Sequence, residues 1–260
     1  MTCSLPRRRR IVASLGLLAG GALPLARTAF AATPTIVEIG SFSKEPADGG
    51  TPPGWEVFRP APKATSTRYS RVSDGGTTVV RAEADKSMSG LLKRIDIDMQ
   101  KTPLLRWRWK IDHPVEEADL TKRSGDDYAA RIYLLFDLDP ATLSLAARLE
   151  LKVAKGIFGA DLPAASLNYV WDNTHPIGLM RASAFTNRLR MVVVESGASK
   201  AGTWVSETRD VEADFRRAFG DEAPPRVPNV IGLAIATDTD NTGGKVTAWY
   251  GDIAFLSRDG

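Results

Sequence analysis

Leu105, Trp107, Trp109 and Ile111 alternate with Arg106, Arg108 and Lys110. Alternation of period two predicts a strand over Leu104–Ile111, with one apolar face toward a core and one cationic face outward. The same rhythm recurs along the chain. Thr77–Ala82 follows the turn Asp74-Gly75-Gly76, and Leu91–Ile97 alternates more weakly. In Tyr128–Phe136, Ala130, Ile132, Leu134 and Phe136 share one side while Arg131 and Tyr133 take the other. Leu167, Tyr169 and Trp171 form another set, and Arg188–Glu195 sets Leu189, Met191 and Val193 against Arg190, Val192 and Val194. Val230–Thr237 is almost wholly apolar, which predicts a strand buried on both faces, and Val246–Phe255 closes the chain.

Two segments change period. In Ala141–Lys155, Leu143, Ala146, Ala147, Leu151 and Ala154 recur at helical spacing, so a helix is expected to end near Gly156. Val211–Phe219 predicts a short helix, with Asp210 as N-cap, Arg216 and Arg217 in the last turn and Gly220 as terminator. Residues 46–63, rich in Pro and Gly, read as loop anchored by Trp55 and Phe58. The whole predicts an all-β fold: a two-sheet antiparallel β-sandwich of jelly-roll type with one or two short helical insertions.

The first thirty-one residues stand outside this pattern. Arg7–Arg10, the apolar stretch Ile11–Leu25 and Ala29-Phe30-Ala31 read as an export signal with its cleavage site. Arg8-Arg9-Arg10-Ile11-Val12 fits the twin-arginine pattern, and Arg27 favours the Tat route over Sec. Residues 32–260 are then expected to form one domain, periplasmic or secreted. The chain holds 34 basic and 31 acidic residues; five arginines lie in the signal, so the mature part has 29 against 31, a net charge of −2. That balance removes any case for a nucleic-acid partner. Cys3, the single cysteine, lies in the signal, so no disulfide is expected. No later segment reaches the ~18 consecutive apolar residues of a membrane span.

Candidate chemistry falls in four places. Arg106 and Arg108, with Arg131 expected beside them from a neighbouring strand, offer guanidinium forks for carboxylates; alternatively they form a solvated face paired with Asp96 and Asp98. Gly125-Asp126-Asp127-Tyr128 places two carboxylates at a strand entry, to bind a cation, to pair with Arg131, or to shape a turn. Asp238-Thr239-Asp240-Asn241-Thr242-Gly243 echoes the start of a calcium loop, with Asp238 and Asp240 as metal ligands, but Trp249 stands where the closing acid would be. The same stretch also makes a good hairpin turn. Trp107 and Trp109, opposite the arginines, belong to the core, whereas Trp171, Trp204 and Trp249 are candidates for stacking on a sugar ring. His113 and His175 both precede proline, and no zinc spacing, nucleophile elbow or phosphate loop is present.

Leu105-Arg106-Trp107-Arg108-Trp109-Lys110, Gly125-Asp126-Asp127-Tyr128-Ala129-Ala130-Arg131, Tyr169-Val170-Trp171, Trp204, Asp214-Phe215-Arg216-Arg217-Ala218-Phe219-Gly220, Thr237–Thr242 and Tyr250-Gly251-Asp252-Ile253 together resemble the domain of unknown function 3047 family, exported bacterial proteins. The resemblance runs from about Ile36 to Phe255 and carries no established activity. It implies a sandwich like galactose-binding or carbohydrate-binding modules, and a meeting of Asp126, Asp127, Arg131, Asp238 and Asp240. The leading expectation is a noncatalytic exported protein that binds a carbohydrate or a cell-envelope polymer through Arg106, Arg108 and Arg131, with Trp171 stacking. One alternative is a polysaccharide hydrolase pairing Asp126 or Asp127 with Asp238 or Asp240, or a lyase using Tyr128 or Tyr133 with Arg131. The other is a structural envelope module stabilised by a cation, calcium being the candidate.

Overall fold

The computed structural model describes residues 1–2, 33–59, 64–158 and 164–258. The expected export signal therefore lies outside the described residues. The chain forms two compact units, Met1–Ala31 and Ala32–Gly260, and the second is the sandwich.

Its first sheet holds β1 (Ile36–Gly40), β3 (Arg68–Asp74), β4 (Thr77–Asp85), β6 (Leu104–Ile111), β11 (Val205–Asp210) and β13 (Lys245–Leu256). The order is β11-β6-β13-β4-β3, with β1 also paired to β13. The second sheet holds β2 (Glu56–Phe58), β5 (Met88–Ile97), β7 (Tyr128–Phe136), β8 (Ala165–Asp172), β9 (Met180–Ala182), β10 (Leu189–Ser196) and β12 (Val230–Asp238). Its order is β2-β5-β12-β7-β8-β10-β9. Two helices interrupt the strands: α1 (Leu145–Phe158) between β7 and β8, and α2 (Val211–Phe219) after β11. The expected two-sheet sandwich is what forms. One pair departs from antiparallel: β10 runs parallel to β8. A parallel pair needs a crossover, and residues 173–188, which include β9, provide it.

The alternating residues explain the closure. Trp107 and Trp109 point inward from β6, and Tyr169 and Trp171 point inward from β8. Trp107 stacks on Tyr169 at 5.4 Å between ring centroids, and Trp109 lies 5.9 Å from Trp171. These contacts join the two sheets through large buried rings, each pair adding roughly 0.5–1.5 kcal/mol beyond its area. β12 is buried along its length except at Ile231, as its apolar run predicts, because it is central in its sheet. β8 is buried at every position, although only alternate residues are large and apolar. Alternation does not reveal β1, β2, β3, β9 or β11; of these, β3 and β11 are polar and close the two ends of the first sheet's order. Charged edge strands resist pairing with other chains, and that requirement hides them from a hydrophobic pattern. α2 begins where Asp210 accepts a hydrogen bond from the Ala213 N–H and ends at Gly220. Trp55 anchors its loop against Phe42, 5.4 Å away, whereas Phe58 lies exposed on β2.

Candidate functional site

The expected cationic face exists and lies on the outside of the first sheet. β6 turns Arg106, Arg108 and Lys110 away from the core because Leu105, Trp107, Trp109 and Ile111 fill it. Beside Lys110, β13 presents Trp249. Trp204 stands immediately before β11, on the other side of β6. The Arg108 guanidinium lies 4.6 Å from the centre of the Trp204 ring. Lys110 Nζ sits 5.3 Å from Trp204 and 4.5 Å from Trp249, between the two indoles. Both tryptophans are half-buried. Asp74, at the tip of the β3–β4 hairpin, accepts from Lys110 Nζ and from Trp204 Nε1, each at 2.7 Å. These hydrogen bonds, Lys110's foremost, hold its carboxyl below the usual carboxylate range. Lys110 is thus neutralised. Among the described residues no carboxylate pairs with Arg106 or Arg108.

Arg131 does not join this face. It lies on β7, in the other sheet, and is 1% exposed. A guanidinium so buried needs a partner, and Asp238 on the adjacent β12 pairs with it directly through Nη2. Tyr128 and Tyr133 flank it, ring centres 5.0 and 4.9 Å from its guanidinium carbon. Asp126 lies 3.9 Å from Nη1. Asp127 accepts from the Asn241 and Thr242 backbone N–H groups, at 3.3 and 2.6 Å. Asp238 Oδ1 accepts from the Tyr128 N–H at 3.2 Å. Asp126, Asp127, Arg131, Asp238 and Asp240 therefore lie in one cluster, in which Arg131 pairs with Asp238 and the Asn241–Thr242 backbone holds Asp127. The strand entry at Tyr128 and the loop after Asp238 are locked together by this network. Gly125 lets the Asp119 segment pack against this strand entry: a Cβ there would stand 2.6 Å from the Asp119 backbone nitrogen.

The electrostatics follow from four carboxylates around one guanidinium. Burial pushes the Asp126 carboxyl up to about 6, against the pull of Arg131. Burial also raises Asp238 against the pull of Arg131, and raises Asp240 with help from Asp127. Asp127, Asp238 and Asp240 each offer an oxygen within 4.8 Å of the others, so these three are the residues that could hold a hard cation such as calcium. Arg131 already offsets part of their charge. As an acid–base pair Asp127 and Asp238 are badly placed, both 0% exposed and out of reach of a polymer, whereas Asp240 is half-buried. Burial raises the hydroxyls of Tyr128 and Tyr133, the reverse of what a proton-abstracting base requires.

Trp171 is corrected from stacking ring to core residue. It is 1% exposed, and its indole N–H donates to the Gly197 carbonyl at 3.0 Å. The alternation that made it visible also turned it inward. Asp252 lies apart from the acidic cluster and accepts from the Ser43 N–H at 2.8 Å. His175 Nδ1 lies 3.1 Å from Asp172, at an open hollow of about 460 Å³ between surface loops, apart from both sites. Asp74 was not foreseen. Its turn sequence announces a hairpin, but nothing local ties it to Lys110.

A family model described as "Protein of unknown function (DUF3047)" matches residues 53–254. No curated protein matches the chain by sequence. Among solved structures, a mutant family 29 carbohydrate-binding module complexed with mannohexaose is similar at 9% identity and TM-score 0.36, covering 86% of this chain and 93% of that one. A cellulase derived from Cel12A of Rhodothermus marinus is similar at 13% identity and TM-score 0.39, over 86% and 100% of the two chains. The Humicola grisea Cel12A catalytic domain, in complex with a soaked thio cellotetraose, is similar at 15% identity and TM-score 0.40, over 82% and 97%.

Proposed function

This chain belongs to the DUF3047 family of proteins of unknown function, and for it we propose an exported, noncatalytic β-sandwich that binds an anionic carbohydrate or cell-envelope polymer. The binding surface is the outer face of the first sheet. One observation carries the reading: two half-exposed indoles, Trp204 and Trp249, interleave with Arg108 and Lys110, and of these cations only Lys110 is paired with a carboxylate. An indole presents a flat apolar face to the C–H side of a sugar ring. A guanidinium fork takes a carboxylate through two parallel hydrogen bonds. Rings and forks on one pleated surface suit a sugar polymer that carries acidic groups. The Arg131–Asp238 cluster lies in the other sheet and takes no part in this surface.

Affinity electrophoresis tests the reading. The protein should be retarded in a gel containing polygalacturonate and run freely in one containing neutral dextran. Trp204→Ala, and the pair Arg106→Ala with Arg108→Ala, should each restore mobility. Equal mobility of wild-type protein in both gels would overturn the proposal.

A further inference from the structure

The helix α1 (Leu145–Phe158) lies across the run of strands between β7 and β8 and shows two apolar rows. One row faces the protein. Ala147 is buried with Leu143 and Ala164, and Leu138 and Leu151 pack against them. This contact satisfies the helix's need to bury an apolar stripe. The second row faces outward. Leu145 is 80% exposed and Leu149, one turn on, is 62% exposed. By sequence the four-residue spacing continues to Val153 and Ile157. Leu145 and Leu149 are the most exposed large apolar residues described after Met1.

Charge says what this row meets. Arg148 and Lys152, both exposed, border it at positions three residues after each leucine. By composition Leu145–Phe158 holds three basic residues and one acidic, a charge of +2 against −2 for residues 32–260. A narrow apolar row edged by long cations is the pattern of a helix lying in a membrane interface: the leucines enter the acyl boundary while lysine and arginine stems reach back to the phosphates. The row is one helix wide, which suits a lipid surface better than a protein partner. No described helix is long and apolar enough to cross a membrane. We propose that α1 docks the protein, reversibly and in the plane of the interface, onto a bilayer rich in anionic phospholipid.

Vesicle co-sedimentation of the full chain tests this. Wild type and the variant Leu145→Ser/Leu149→Ser share the same N-terminal segment, so any difference belongs to α1. Wild type should bind phosphatidylglycerol-containing vesicles roughly tenfold better than the variant, and the difference should shrink in high salt. Both leucines are exposed, so the two proteins should melt alike, and equal melting excludes misfolding as the cause. Arg148→Glu/Lys152→Glu, which keeps the leucines, should lower binding to the same vesicles. Equal binding by wild type and the serine variant would overturn the proposal. So would wild-type binding that is as strong to purely zwitterionic vesicles. Concentration-dependent self-association abolished by the serine variant, with no vesicle binding, would assign the row to a second copy of the chain instead.

Discussion

Arg108 lies flat on the backbone of Gly251: a Cβ built at Gly251 would stand 2.4 Å from Arg108 Nε and 2.5 Å from its Cγ. Gly251 sits where β13 slips register against β6, between Tyr250 and Ile253. The missing side chain makes a slot that aims the guanidinium at Trp204.

Gly251→Ala should therefore disarm the surface without removing any of its functional groups. The collision reaches Cγ, near the root of the side chain, so Arg108 must leave the Trp204 ring. Affinity for polygalacturonate, measured by titration calorimetry, should fall roughly tenfold, equivalent to ~1.4 kcal/mol. An unchanged affinity would mean that the position of Arg108 over Trp204 is irrelevant to binding.

Trp171 and Trp204 should separate cleanly. Trp171→Ala removes a buried ring between the sheets and should cost about 3–5 kcal/mol of stability in urea unfolding. Polymer affinity well below the melting temperature should be unchanged. Trp204→Ala should do the opposite, losing affinity while costing little stability. Loss of affinity in the Trp171 variant at a temperature where it remains folded would contradict its placement in the core.

Arg131 and Asp238 should behave as a buried pair. Asp238→Ala leaves an uncompensated guanidinium and should cost about 3–5 kcal/mol. Asp238→Leu combined with Arg131→Met removes both charges and should recover most of that loss. Urea unfolding of the three variants measures the coupling, and additive losses would show that the pair is not a unit.

The cluster also sets a pH dependence. The Asp126 carboxyl is raised from its ordinary 3.8 to about 6, so the folded state binds its proton more tightly than the unfolded chain does. The stability it contributes is complete below about pH 3.8 and is lost as pH rises through about 6, a change of about 3 kcal/mol. Asp240 is shifted in the same direction, and Glu207, raised to about 7 by burial and by the charge of Glu195, extends the decline toward neutrality. Asp126→Asn keeps an acceptor for the Tyr128 hydroxyl and should flatten the slope between pH 4 and 7 in unfolding measurements. An identical slope in the variant would assign the dependence elsewhere.

Arg131 pairs with Asp238, and backbone N–H groups hold Asp127, without a metal. Chelator treatment should therefore leave the melting temperature of the purified protein unchanged. A fall of several degrees, reversed by calcium, would give Asp127, Asp238 and Asp240 a bound cation.

Alternation along the chain by itself determined the two-sheet sandwich, the inward turn of Trp107 and Trp109, and the cationic outer edge of β6. Side chains two residues apart share a face of a strand, so each of these facts is local. The end strands β3 and β11 escaped because their charges serve to block further pairing. Which sheet a strand joins is not local, and it decided the sites. Arg131 and Arg106 read alike in sequence, as basic residues on alternating strands. The register of β7 against β12 buries Arg131 beside Asp238, while β6 turns Arg106 to solvent. The tertiary structure likewise brought Asp74 and Gly251 to Lys110 and Arg108, because closing a sheet joins residues far apart in the chain.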